Sequence, residues 1–160
     1  MRRFGLAGLV LLASVSCKKE PLTNSELSKP PIEWLTSTAQ ACSAAAQSQK
    51  PILFFWAADW DIATADWQRH ALLDPRVRGV VNHRYVALRV DRTRTWSDEP
   101  MTPEESRNVE EARDRFDPWA SKYGSLMIIA ADCRTRRDDL SGIHDPELLA
   151  RRLVLGSRRG

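Results

Sequence analysis

Residues 52–57 read Ile-Leu-Phe-Phe-Trp-Ala, six apolar side chains in a row directly after Pro51. A short run without alternation, rich in aromatics, suits a strand buried on both faces. Such a strand needs cover above and below, so the rest of the chain has to supply two layers of helix. The flanking sequence offers them. Ser37 can cap a helix through Ala41, Ala44 and Ala45 that ends near Gln49. Asp61 is a natural N-cap for a helix through Ile62, Ala65, Arg69 and Leu72, which stops before Asp74-Pro75. A second helical piece follows from Val77 to Asn82.

Tyr85 to Asp91 alternates and is rich in β-formers, which predicts a strand. Thr102-Pro103-Glu104-Glu105 is a strong helix start, and that helix runs to about Phe116. Leu126 to Ala131 reads as another buried strand, and Leu140 to Ile143 as a short last one. Asp145-Pro146-Glu147 opens a final helix with Leu148, Leu149, Leu153 and Val154 on its apolar side. With Ile32–Leu35 as a short first strand, the order is β-α-β-α-β-α-β-β-α. That alternation predicts an α/β domain, a sheet with helices on both faces.

The 160 residues leave room for one ordinary domain. Met1-Arg2-Arg3 is a positive start, Phe4 to Val15 an uncharged apolar stretch, and Ser14-Val15-Ser16-Cys17 a small-residue site. That is the plan of a secretory signal over residues 1–16, too short to anchor as a span of about 20 residues. The stretch before Cys17 also resembles the lipobox of bacterial lipoproteins, with Ser14 where Leu is usual. The resemblance implies a lipid on Cys17, membrane attachment through it, and a cell-envelope or periplasmic location; ordinary secretion fits the same small residues. Residues 17–31, polar with three prolines, then read as a tether, and 32–157 as the domain.

Charge argues against nucleic acid. The chain carries 24 Lys and Arg against 21 acids, and loss of Arg2 and Arg3 with the signal leaves 22 against 21. The clusters Arg134–Arg137 and Arg158-Arg159 are short and lack interleaved aromatics, so they read as solvated turn and tail. Asp66 and His70 share a helix face, but a two-residue pair falls short of the four ligands usual for zinc. His83 and His144 stand isolated in the sequence. No nucleotide fingerprint occurs among the seven glycines. Neither metal nor cofactor is expected. An exported chain can keep disulfides, and one bridge between Cys42 and Cys133 is arithmetically allowed. Sequence alone does not show that the two meet, and a free Cys commonly behaves as a small apolar residue, so two isolated, buried cysteines are expected.

Three local motifs carry a family resemblance: Lys50-Pro51 before the central strand, Ala58-Asp59-Trp60 at its end, and Asp74-Pro75-Arg76-Val77 after the next helix. With Val90-Asp91 and Lys122-Tyr123-Gly124, their order resembles exported thioredoxin-like domains of the thiol:disulfide interchange type, over about residues 32–155. The resemblance implies the thioredoxin fold, a central mixed sheet flanked by helices on both faces. In that family Trp is followed by Cys-x-x-Cys at the helix start. Those two positions are Asp61 and Thr64 here. An ionised Asp cannot form a disulfide, and a Thr hydroxyl is a poor nucleophile without a placed base. The family's buried acid, six residues before the first cysteine position, is Phe55, and Leu126 or Ser125 stands where a cis-proline is usual.

The resemblance with these departures implies a redox-inactive thioredoxin-like envelope lipoprotein. It would act as a binding or accessory module for an envelope protein or peptide, through a surface of Trp60, Asp61, Thr64 and Leu126. The alternative is a thiol:disulfide oxidoreductase working through Cys133 or Cys42, with Arg134 beside Cys133 to favour a thiolate. A plain structural envelope protein is a third reading.

Overall fold

The computed structural model describes residues 30–93, 98–116 and 124–158. The signal, Cys17 and the tether up to residue 29 lie outside them, as do Trp96, Trp119, Lys122 and Tyr123. Strand β1 is Ile52–Ala57, with all six residues buried. It pairs in parallel with β2, Val86–Asp91, and antiparallel with β3, Ser125–Ile129. Strand β4, Arg136–Asp139, closes the mixed sheet in the order β2-β1-β3-β4. The apolar run is thus an inner strand of its sheet.

Alternate residues of β1 point to opposite faces, and two separate cores form. Leu53, Phe55 and Ala57 join Leu126 and Ile128 on one face. Helices α2 (Ile62–Arg69), α3 (Pro75–Arg84) and α5 (Pro146–Ser157) cover that side through Trp67, Val77, Val80, Leu149 and Leu153. Ile52, Phe54 and Trp56 join Met127 and Ile129 on the other, under α1 (Thr38–Ser48) and α4 (Pro103–Phe116). Phe116 stacks 4.9 Å from Phe54. The two covers differ in substance: α1 buries only Thr38, Ala41 and Ala45, whereas α5 buries Leu149 and Leu153.

The helix starts are side-chain capped, as the sequence predicts at Ser37 and Asp61. Ser37, Asp61, Asp74 and Asp145 each accept a backbone N–H bond, and Thr102 and Glu105 exchange two such bonds at the start of α4. The Arg76 guanidinium hydrogen-bonded to Asp74 holds that carboxyl below its ordinary range. Burial pushes the Tyr85 hydroxyl well up, and it donates to the Leu153 carbonyl, fastening α5 to the start of β2.

Two predicted strands need correction. Ile32–Leu35 contributes one bridge, Leu35 to Leu88, rather than a strand. The last strand is Arg136–Asp139, not Leu140–Ile143. It is a charged edge strand with no apolar alternation to mark it, and Leu140 beyond it is buried in the core. The helix after Asp61 ends at Arg69, with a 3-10 turn over Ala71–Leu73, and α3 is longer than Val77–Asn82.

The expectation of two isolated cysteines also fails. Cys42 of α1 and Cys133 of the β3–β4 turn form a disulfide, Cα atoms 5.4 Å apart, across 91 residues of chain. Closing a loop of that length removes unfolded-chain entropy worth about 4–5 kcal/mol in the chain-entropy account. Cys133 sits at φ 57, the left-handed region. Asp132 fixes that turn by accepting from the backbone N–H of Thr135 and Arg134 and from the Thr135 hydroxyl. Those bonds, the Thr135 backbone first, hold the Asp132 carboxyl below its ordinary value.

Candidate functional site at the N-terminus of α2

The chain leaves β1 through a turn in which Asp61 N–H donates to the Ala58 carbonyl at 2.9 Å, then enters α2. Asp61 Oδ2 accepts from Thr64 N–H at 2.7 Å, an N-cap bond. Thr64 is fully buried, and its Oγ1 accepts from Ala58 N–H at 3.1 Å. Asp61 and Thr64, which the sequence resemblance aligns with Cys-x-x-Cys, therefore close the turn onto the helix with oxygen. One is a capping carboxylate and the other an enclosed hydroxyl with a backbone partner.

The segment leading into β3 packs directly against this corner. Gly124 has φ +66, and a Cβ added there would lie 2.6 Å from the Ala63 Cβ and 2.7 Å from Asp61 Oδ2. Only glycine combines that backbone angle with that approach. Its N–H donates to the Trp56 carbonyl at 3.0 Å, and its carbonyl accepts from the buried Trp67 indole at 2.9 Å. Trp67 gave no sequence signal of this role beyond its helix position. No cis peptide bond occurs among the described residues.

The expected surface of Trp60, Asp61, Thr64 and Leu126 does not form as a group of four. Leu126 is fully buried on the α2 side of the sheet, and Thr64 lies beneath the turn. Leu126 opposes Phe55 across the β1–β3 ladder, an inward position on a strand buried on both faces. What reaches solvent is Trp60, 48% exposed, and Ile62, 87% exposed, with Asp61 part-buried beside them. Ile62 is the member that sequence reading missed. The sequence sets it in the helical run Ile62, Ala65, Arg69 and Leu72, and the structure turns it to solvent. Phe55, where the family has an acid, is buried against Trp34 with ring centroids 5.8 Å apart.

Thr93 stitches the neighbouring strand ends together. It accepts from Asp59 N–H at 2.9 Å through Oγ1, and its carbonyl accepts from the Trp60 indole at 3.2 Å. Asp91 binds Thr93 and the Arg89 guanidinium, which also lies 3.3 Å from Asp59. Burial raises the Asp91 carboxyl, but the bonds from Thr93 and Arg89 outweigh it, leaving it below its ordinary value. Asp59, Arg89, Asp91 and Thr93 line a groove of about 810 Å³ between this corner, Trp34 and the first turns of α4.

Asp66 and His70, read as a plain helix face, meet at 2.9 Å. His144, isolated in sequence, brings its Nδ1 within 2.6 Å of the other Asp66 oxygen, though not aligned as a hydrogen bond, and stacks on Trp67. Among the described residues, no group of three or more His, Cys, Asp or Glu is arranged to hold a metal ion. Cys42 and Cys133 lie toward the other end of the sheet. β3 runs from Ser125 opposite Trp56 to Ile129 opposite Ile52, and Cys133 follows Ile129. At about 3.3 Å per residue, the two ends of β1 are about 17 Å apart.

No family model and no curated protein matches the chain. Among solved structures it is similar to a DsbH oxidoreductase, with a TM-score of 0.66 and 17% sequence identity over 88% of this chain and 95% of that one. It is also similar to a disulphide isomerase from Xylella fastidiosa Temecula1, at a TM-score of 0.49 and 14% identity over 75% of this chain and 86% of that one, a looser superposition that carries no weight. The element order, the mixed sheet covered on both faces and the first of these likenesses agree: the chain has a thioredoxin-like fold.

Proposed function

We propose that the chain is an envelope lipoprotein, anchored through Cys17, whose thioredoxin-like domain binds a protein or peptide at the α2 corner without exchanging thiols there. One observation carries the reading. Both positions that would hold sulfur are occupied by oxygen groups already engaged in closing the turn, Asp61 on Thr64 N–H and Thr64 on Ala58 N–H. Exchange needs an attacking thiolate and a second sulfur to resolve the mixed disulfide. What remains is an exposed aromatic–aliphatic pair, Trp60 and Ile62, beside a groove with a charged wall. Aromatic anchors next to a pocket are what a binding surface concentrates.

The bridge between Cys42 and Cys133 favours a second reading, thiol:disulfide exchange at that pair. Against it, Cys133 is 4% exposed and Cys42 lies within α1 rather than at a helix start. An insulin-reduction assay with dithiothreitol separates the two, using the purified chain beside a Cys42→Ser/Cys133→Ser variant. The binding reading expects no acceleration over the uncatalysed control; acceleration lost in the variant establishes exchange instead. Capture of an envelope protein by the wild type, abolished by Trp60→Ala/Ile62→Ser in a variant of unchanged melting temperature, supports the surface. Equal capture by both removes it. Radiolabelled palmitate incorporated in a bacterial host and lost in Cys17→Ala establishes the anchor; equal labelling excludes that site.

A further inference from the structure

The Cys42–Cys133 bridge is set apart from the α2 corner and lopsided in its surroundings. Cys133 is 4% exposed within the core beneath α1 and α4, while Cys42 is part-buried on α1 and packs against that core from outside. The helix it fastens is the thinnest cover of the sheet, burying Thr38, Ala41 and Ala45 and no large apolar side chain. Apolar burial holds a helix in proportion to the area removed from water, so α1 has little of it to rely on. At its other end the bridge is rooted in a turn fixed by Asp132, with Cys133 in the left-handed region.

We propose that this bridge is a redox-sensitive clasp, opened by a thiol attacking the Cys42 sulfur, that sets how firmly α1 is held on the sheet. A thiolate bonds to Cys42 Sγ as the Cys42–Cys133 bond breaks, and the electron pair leaves on Cys133 Sγ, which takes up a proton. A second thiolate attacks the attached sulfur of the mixed disulfide, leaving as a disulfide with the first and freeing Cys42, which takes up a proton. Two thiols are oxidised to one disulfide, and the protein disulfide is reduced to two thiols. Access dictates the direction, because exchange requires reach to the attacked sulfur. The inference does not rest on the binding reading: the chain can be inert toward insulin and still carry the clasp.

The test uses the full chain with Cys17→Ser, so that two cysteines remain. Reduction with excess dithiothreitol should lower the melting temperature by about 10 °C. It should speed amide exchange in residues 38–48 while α5, 146–157, keeps its protection. Brief exposure to glutathione, acid quenching and peptide mapping should find the mixed disulfide on Cys42. A melting shift under about 2 °C, equal loss of protection in α5, or glutathione on Cys133 would each overturn the proposal. Because the oxidised Cys42–Cys133 pair is reduced in place, the result does not depend on a variant of either bridge cysteine folding.

Discussion

At the C-terminal end of β1 the chain turns into α2 through a corner closed by hydrogen bonds: a carboxylate cap, an enclosed threonine and a glycine packed against both. Toward the N-terminal end, cover is supplied by α1, whose buried side chains are small and which a disulfide fastens to the β3–β4 turn. Among the described residues, cysteine is therefore found where it serves as a tie and not at the start of α2. The comparison teaches that the two ends of one strand can be secured by different chemistry, a carboxylate cap on helix N–H groups at one and a covalent tie at the other.

The comparison can be broken most severely at the sulfur. Replacing both Cys42 and Cys133 by Ser should cost about 4–5 kcal/mol in chemical denaturation, if loop entropy governs. A loss under about 1 kcal/mol would make the bridge incidental. At the opposite end, Gly124→Ala forces a Cβ into Ala63 and keeps an unfavourable φ, for an expected loss of about 2–4 kcal/mol. Full tolerance in a urea melt would mean that the corner is loosely packed. Asp61→Ala removes the cap and should cost about 1 kcal/mol, with Asp61→Asn recovering most of it.

Acid probes both ends together. Asp132 beside the bridge and Asp91 beside the corner have lowered pKa values, so the unfolded chain binds more protons below their ordinary value of 3.8. Their contribution is fully present above that pH and is lost as pH falls through the lower folded values. The wild type should therefore weaken below about pH 4, and an Asp132→Asn/Asp91→Asn variant should show a shallower fall between pH 4 and 2. An identical slope would assign the acid sensitivity to other groups. A loss of no more than about 1 kcal/mol is expected at Trp60→Ala, which gives up the indole bond to the Thr93 carbonyl while half of the side chain already faces water.

Much of the architecture was legible because it is written in local chemistry. The unbroken apolar run of β1 demanded two covers, and Ser37, Asp61 and Asp145 marked helix starts by a preference that acts within three residues. The departures have equally specific causes. β4 was hidden because its charged residues carry no apolar period. Leu126 looked like a surface residue because its position was judged by alignment to a proline loop, whereas its place on a strand buried on both faces sends it inward. The pairing of Cys42 with Cys133 depends on where α1 lies over the sheet, and that geometry has no signature in a spacing of 91 residues. Gly124 belongs to the Lys122-Tyr123-Gly124 motif, but its reason, a backbone pressed against Ala63, is tertiary.

The placement of β4 has a consequence for life in a crowd. It is the outermost strand on its side, and its four residues are Arg136, Arg137, Asp138 and Asp139. Another chain adding itself along this border would have to strip water from both signs of charge, including the Asp138 carboxylate that the Arg152 guanidinium grips through two 2.8 Å bonds. Copies approaching along this border would thus meet charged side chains of both signs before reaching its backbone.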